Sequence, residues 1–502
     1  MNQKRTGTEN QGSGPLGGYM GNDVRAAYIP GSPLTGAGQT VGLLEFDGYS
    51  AHDITNYEYR AGLPNVTVTN VLLDGVMGEP TETGGEVEVS LDIEVAIAMA
   101  PGLSEVIVYE GADWHDLLNR MADDNLAKQL SCSWYIFAGA PDPVADQIWE
   151  QMAIQGQSFF NASGDSGAYG GPIDFPGDSP YITQVGGSTL TTAGPGGDYV
   201  SETVWNWNNG DASSGGVSTY YSIPSWQARV DMSNNLGSTT MRNTPDVALT
   251  ADNVYVRVDG WDEDEGGTSC AAPLWAGFTA LINEQAAANG RPPMGFINPQ
   301  IYALGLEASY TMGLHDITTG SNVPPYSTSG KFPAVPGYDL CTGWGSPNGT
   351  NLINALVPPA DTLLFSPQLG FAASGPANGP FVPAAQTYVL KNLAAVALNW
   401  SLLNTSAWLN VSTTSGQLTP GSGLVSVTAS ISPTAGALVP GTYAATVWIT
   451  NWTTGFAQSR LFTLQVTNPP VVITTQPASE TLLAGETAAF HVGVTGVYPN
   501  YF

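Results

Sequence analysis

Three short stretches carry residues whose types and spacing could do chemistry together. The first is Gly266-Gly267-Thr268-Ser269-Cys270-Ala271-Ala272-Pro273, leading into the apolar run LWAGFTALINEQAAANG. It reads as a serine at the N-terminus of a buried helix, with Pro273 near the first turn, where its missing N–H costs little. The positive helix end suits a nucleophile that forms and loses an acyl intermediate. The second stretch, Gly84-Gly85-Glu86-Val87-Glu88-Val89-Ser90-Leu91-Asp92-Ile93-Glu94, runs into VAIAMAPG. Leu91, Val95, Ala98 and Met99 recur at helical spacing, so Glu88 and Asp92, four apart, share one face. Two such carboxylates cannot both ionise cheaply, and one keeps its proton to higher pH. A carboxylate is a poor base at neutral pH and an apt one in acid. The third stretch, Asn161-Ala162-Ser163-Gly164-Asp165-Ser166-Gly167, follows the apolar QSFF and reads as a strand ending in a tight turn that presents Asp165. Protonated, that carboxylic acid can donate to a developing oxyanion. Each stretch alone has a plainer reading: an N-cap serine, a solvated acidic helix start, a turn aspartate.

A histidine base has no good candidate. The histidines are His52, His115, His315 and His491, and none is followed by Gly-Thr. His52 and His115 stay open on inspection, so a neutral, histidine-dependent hydrolase is a disfavoured alternative.

These residues need rigid elements to hold them. VGLLEF (41–46), EVIVYEG (105–111) and LSCSW (130–134) read as buried strands; 86–99, 115–128 and 143–155 read as helices. That alternation predicts an α/β domain with a mainly parallel sheet flanked by helices. Past Pro358 the pattern becomes β-branched alternation with turn signals, as in LVSVTASIS (424–432) and GTYAATVWIT (441–450), which predicts an all-β sandwich. A further β segment follows Asn468-Pro469-Pro470, too short for a sandwich of its own. The expected organisation is a flexible tail or linker over 1–18, a catalytic domain over 19–358, a sandwich over 359–468 and a partial β domain over 469–502.

The composition narrows the partners. The chain has 502 residues, a formal net charge of −30 and only 11% charged residues. Clustered Lys and Arg for nucleic acid or anionic membranes are missing. Carboxylates protonate in acid and self-repulsion then falls, which suits work at low pH; a halophilic or merely acidic secreted protein would look alike. Three cysteines make neither a disulfide framework nor a zinc site. No apolar run approaches the roughly 18 residues of a membrane span.

Taken in order, the three stretches resemble the sedolisins, the serine-carboxyl peptidases, and most of all their kumamolisin-like branch. The likeness covers about residues 19–357. The carboxylate pair matches Glu88 to Asp92, the SGDSG motif matches Ser163 to Gly167, and SGTSxxxP matches Gly266 to Pro273 with Gly266 in place of the first Ser. The resemblance implies a subtilisin-like fold and an acid-acting endopeptidase. It makes Ser269 the nucleophile, Glu88 the general base and acid, Asp92 its orienting partner and Asp165 the oxyanion donor. Glu45 in LLEFDGY and Trp134 in SCSW match two residues that extend the hydrogen-bond chain behind the glutamate. The resemblance also implies one structural Ca2+, held by the carboxylates of Asp316 and Asp339 and the carbonyls of Ile317, Val335 and Gly337, where the family usually has Gly at 335. Two turn aspartates are the plainer reading of that pair.

Residues 1–14 lack the apolar core of a signal peptide. The family's prodomain is not in the sequence, so the expectation is a start further upstream and an extracellular location. The sandwich resembles BACON-like domains of secreted bacterial hydrolases, and 473–502 resembles the opening strands of a bacterial immunoglobulin-like domain. Both suggest carbohydrate or cell-surface attachment, or a mere spacer. The alternative for the whole chain is a catalytically silent surface protein whose sandwich binds a glycan or a protein partner.

Overall fold

The computed structural model describes residues 11–81, 83–135, 140–323, 332–358 and 361–496. The chain divides into two units, Met1–Pro359 and Ala360–Phe502.

The first unit is built on one sheet. Its strands are β1 (Thr40–Glu45), β2 (Val68–Leu72), β3 (Glu105–Glu110), β4 (Gln129–Cys132), β5 (Ser158–Ala162), β6 (Thr183–Thr192), β7 (Tyr199–Val204) and β8 (Val247–Thr250). The order is β8-β6-β5-β4-β1-β3-β2, all neighbours parallel, with β7 antiparallel on β6. Strands buried on both faces read as continuous apolar runs, which is why VGLLE and EVIVYE were legible.

Helices cover both faces: α1 (Ala51–Ala61), α2 (Glu86–Met99), α3 (Trp114–Asp124), α4 (Pro143–Ile154) and α5 (Thr268–Ala288). One buried cluster joins α2 and α5 to Val41, Leu43, Val106 and Phe160. The other joins α3 and α4 to Leu44, Ile107, Tyr109 and Leu130. The expected helix 115–128 stops at Asp124, because Asn125 takes the left-handed conformation with φ 47°. The expected strand 130–134 ends at Cys132, so Ser133 and Trp134 leave the sheet at its C-terminal edge.

Helix α2 is not half-solvated. Every residue from Val89 to Met99 is buried, Asp92 and Glu94 included. The acidic-face reading of Asp92 fails because α2 is enclosed between the sheet, α1 and α5. A side chain at Gly277 of α5 would meet Met99 Cβ at 2.9 Å and the Ala96 carbonyl at 3.0 Å. Glycine there lets α2 and α5 approach, and these two helices carry Glu88 and Ser269.

The expected tail is only partly a tail. Residues 1–10 lie outside the described residues. Residues 12–18 are tied down: Gly12 N–H donates to the Gly17 carbonyl at 2.9 Å, Ser13 Oγ to Asp23 at 2.8 Å and Asn253 Nδ2 to the Gly17 carbonyl at 2.9 Å. Glycines permit this closeness, since a Cβ at Gly12 would fall 2.1 Å from the Gly18 oxygen.

In the second unit, strands Leu363–Ser366, Ala385–Asn392, Val425–Ile431 and Leu409–Val411 make one sheet. Ala372–Pro376, Phe456–Thr467, Gly441–Asn451, Leu398–Asn404 and Ser415–Leu418 make the other. Their inner faces share one core that includes Phe365, Tyr388, Trp400 and Phe462, a face-to-face sandwich. Beyond it, Val472–Thr475 pairs with Gly493–Thr495 as an exposed ribbon. Of the expected partial domain, 497–502 lie outside the described residues.

Candidate active site

The three motifs meet at the C-terminal edge of the parallel sheet, where loops leave the strands. Ser269 is the second residue of α5 and its hydroxyl faces Glu88 closely enough to favour the ionised carboxylate. Pro273 stands one turn further in than the sequence suggests, as the sixth helical residue. Its absent N–H frees the Ser269 carbonyl from the helix ladder, and Ser133 Oγ lies 3.4 Å from that oxygen.

Behind Glu88 lies a chain of carboxyls. Ser133 Oγ is 2.9 Å from both Asp92 oxygens and also lies near Glu88. Glu45, at the end of β1, faces Asp92 within hydrogen-bonding reach, and Trp134 Nε1 donates to Glu45 Oε2 at 2.8 Å. Glu45 and Asp92 are both 0% exposed, so a proton must sit between them. Burial pushes both well above the usual carboxylate range, and mutual repulsion adds to the shift at Asp92. Glu88 is pushed less, to about 7, by burial; the nearby Ser269 and Ser133 hydroxyls oppose the shift and Asp165 adds to it. Glu88 is therefore the member of this chain that holds negative charge most readily. Its Oε1 is buried without a hydrogen-bond partner.

Asp165 follows β5 through Ser163 and Gly164, whose φ is 105°. Its Oδ1 accepts both the Thr268 N–H and the Thr268 hydroxyl, each at 2.8 Å. Both donors meet one oxygen, which leaves Oδ2 as the place for a proton. A Cβ at Gly267 would stand 3.1 Å from Oδ2, so glycine keeps that oxygen clear beside Ser269. Burial raises the Asp165 carboxyl above its ordinary value. A cavity of ≈ 370 Å³ opens beside Glu88, lined also by Phe46, Thr83, Gly84, Gly85, Val87 and Trp134.

No histidine joins this arrangement among the described residues. His115 Nε2 pairs with Asp142 at 2.7 Å, His315 stacks on Tyr199 at 3.7 Å, and His52 and His491 are exposed.

The expected metal ligands lie elsewhere. Asp316 Oδ2 accepts Tyr310 OH at 2.6 Å and Gly337 N–H at 3.0 Å. Asp339 accepts Val335 N–H at 3.1 Å, Cys341 N–H at 2.9 Å and Thr342 N–H at 2.8 Å. Segment 335–337 thus bonds to both carboxylates. The carbonyls of Ile317, Val335 and Gly337 accept no hydrogen bond among the described residues.

No family model matches the chain. Kumamolisin of a Bacillus species is 35% identical over 367 residues, 68% of this chain and 64% of the relative. Sedolisin of a Pseudomonas species is 30% identical over 379 residues, 68% of this chain and 62% of the relative. The solved Pseudomonas sedolisin, titled a serine-carboxyl proteinase complexed with two molecules of pseudo-iodotyrostatin, matches with a TM-score of 0.59 at 28% identity, over 67% of this chain and 97% of that one. The chain belongs to the sedolisin family. Its first unit has the subtilisin-like sedolisin fold. It spans less than two thirds of the full length of either curated sedolisin relative.

Within this candidate site the structure brings together Glu88, Asp92, Asp165, Ser269, Glu45 and Trp134. It adds two residues that the sequence reading passed over. Ser133 lies between Asp92 and Glu88, and Thr268 ties Asp165 to the Ser269 turn. Both sit inside motifs already singled out, SCSW and GGTS, but a hydroxyl's partner is a long-range fact.

Proposed function

We propose that this chain is an acid-acting serine-type endopeptidase. The observation that carries the reading is the Ser269 hydroxyl facing the Glu88 carboxyl, backed by the buried Asp92, with the Asp165 carboxyl tied to the same turn through Thr268. Ser269 attacks the scissile carbonyl as Glu88 takes its proton. Asp165, protonated on Oδ2, donates to the developing oxyanion. Asp92, linked to Glu88 through Ser133, holds the glutamate in place, while Glu45 and Trp134 anchor Asp92. Glu88 returns its proton to the leaving amine, and water hydrolyses the acyl-enzyme. Substrates are proteins or peptides.

The reactive form has Glu88 ionised and Asp165 protonated, so the rate is bell-shaped in pH. The test is the pH–rate profile on denatured protein from about pH 2.5 to 8, measured beside Ser269→Ala. A Ser269-dependent optimum in acid is expected. Turnover that survives Ser269→Ala sinks the reading, and an optimum near neutrality removes the acid part of it.

One structural Ca2+ belongs to the proposal. The donor set is all oxygen, two carboxylates and three free carbonyls on neighbouring loops, and suits a hard cation. Asp316, Ile317, Val335, Gly337 and Asp339 would hold it, pinning loops without entering the reaction. Excess chelator should lower the melting temperature of the first unit. Unchanged melting, with no metal by elemental analysis, counts against the site.

An extracellular location and attachment to carbohydrate or cell-surface material through the sandwich complete the reading. Among the described residues no helix is long and apolar enough to cross a membrane. Supporting the attachment, Trp448 and Trp452 are exposed, and Trp452 Nε1 bonds Ser401 at 2.9 Å. Loss of polysaccharide retention in Trp448→Ala/Trp452→Ala is the check; unchanged or absent retention in the parent removes it.

A further inference from the structure

Loop 205–212 touches both halves of the site and belongs to neither motif. Near its start, the Trp207 ring lies against Gly266, where a Cβ would fall 2.3 Å from Cζ2 and 2.5 Å from Cη2. Gly266 is not among the glycines with positive φ, so the glycine provides room for the ring rather than an unusual backbone angle. The indole N–H donates to Asp252 Oδ1 at 2.9 Å, and Asp252 Oδ2 accepts Thr189 Oγ1 at 2.9 Å. The neighbouring Ala251 carbonyl accepts the Gly267 N–H at 2.9 Å. Buried Trp205 meets Trp207 edge-on at 5.4 Å. At the other end of the loop, Ala212 N–H donates to the Asp165 carbonyl at 2.8 Å. One loop thus grips the turn before Ser269 and the backbone of Asp165.

We propose that Trp207 is a positioning residue for Ser269. The indole, braced on Asp252, clamps the Gly266-Gly267 turn against the end of β8 and sets the spacing between Ser269 and Asp165. Two adjacent glycines would otherwise leave that turn with excess backbone freedom. The inference rests on the reading of Ser269 as nucleophile and Asp165 as oxyanion donor.

The test is a swap. Trp207→Ala should lower kcat on the order of 10- to 100-fold with KM within about twofold, as expected for a displaced reacting group. Gly266→Ser should also lower kcat, because its side chain meets the ring. The double variant Trp207→Ala/Gly266→Ser should recover most of the loss, since the serine enters vacated space. Trp207→Phe, the variant safest for folding, keeps a ring and loses the Asp252 bond; a smaller drop in kcat at unchanged KM is expected. Labelling of Ser269 by a fluorophosphonate should slow in step with kcat, while melting temperature reports folding separately. Single variants within twofold of the parent, or a double variant no better than the worse single, overturn the clamp. Ser269→Ala separates the two ideas: if it is dead and the Trp207 variants are normal, only this inference falls, and if it is active the nucleophile reading falls first.

Discussion

The two units use charge in opposite ways. Between 361 and 467 the charged residues are Asp361, Lys391 and Arg460. The sandwich core is filled by Phe, Tyr, Trp and aliphatic side chains, and Arg460 stacks over Phe365 at 4.9 Å while donating to its carbonyl at 2.6 Å. The first unit instead buries Glu45, Asp92, Glu94 and Glu202 outright. Glu202 is satisfied by hydroxyls, among them Tyr28 at 2.5 Å and Ser188 at 2.6 Å. Glu94 keeps an orphaned Oε1 while Oε2 accepts Arg257 N–H at 2.9 Å. A fold that needs only stability has no use for buried acids. The proposed chemistry, with carboxyls kept protonated beside Ser269, gives the first unit a use for them and makes it depend on pH.

The comparison breaks first at the chemistry. Ser269→Ala and Glu88→Gln should each cost about 10⁴-fold or more in kcat, while sandwich substitutions such as Phe462→Ala leave kcat on a small peptide unchanged; equal effects from both units would end the contrast. Asp165→Asn should cost on the order of 10²- to 10³-fold. It should also abolish the falling alkaline limb of the pH–rate profile, since an amide donates at every pH. A limb that persists would assign it to another group.

Phe462→Ala should destabilise the sandwich by about 3–5 kcal/mol, seen as a shift in one calorimetric transition with the other unmoved. A single shifted transition for the whole chain would mean the units melt together. The smallest effect sharpens the contrast in pH. Burial raises Glu45, Asp92 and Glu94 in the folded state. The folded form then binds protons more tightly than the unfolded chain, so their contribution is complete below the unfolded carboxylate range and is lost as pH rises toward the folded values. The first unit should melt lower at pH 7 than at pH 4, and the sandwich should not. Glu94→Gln keeps the bond from Arg257 and should raise first-unit stability at neutral pH, seen as a higher melting temperature there and little change at pH 4. A pH-independent melt would refute the buried-acid account.

Much of the first unit was legible because its signals are local. A parallel strand buried on both faces writes a continuous apolar run, and Glu86–Met99 has the bounds its spacing implies. Helix 115–128 overran because Asn125 stops it through a backbone angle that periodicity does not encode. The Gly-rich start read as a tail because its partners, Asp23 and Asn253, lie further along the chain. Trp207 went unnoticed because its meaning is a contact with Gly266, far away in sequence.

From the sequence alone came the residue types and order of the site: a carboxylate pair on one helix face, an aspartate in a glycine turn, a serine at a helix start. Their protonation was decided only in three dimensions. Desolvation of Asp92, Glu45 and Glu88 depends on α2 being enclosed by α1, α5 and the sheet, and the burial of a carboxyl sets its proton affinity far more than its neighbours in the chain do. The same holds for Asp165, whose free oxygen is defined by two bonds from Thr268, a residue that only the packing of α5 against β5 brings within reach.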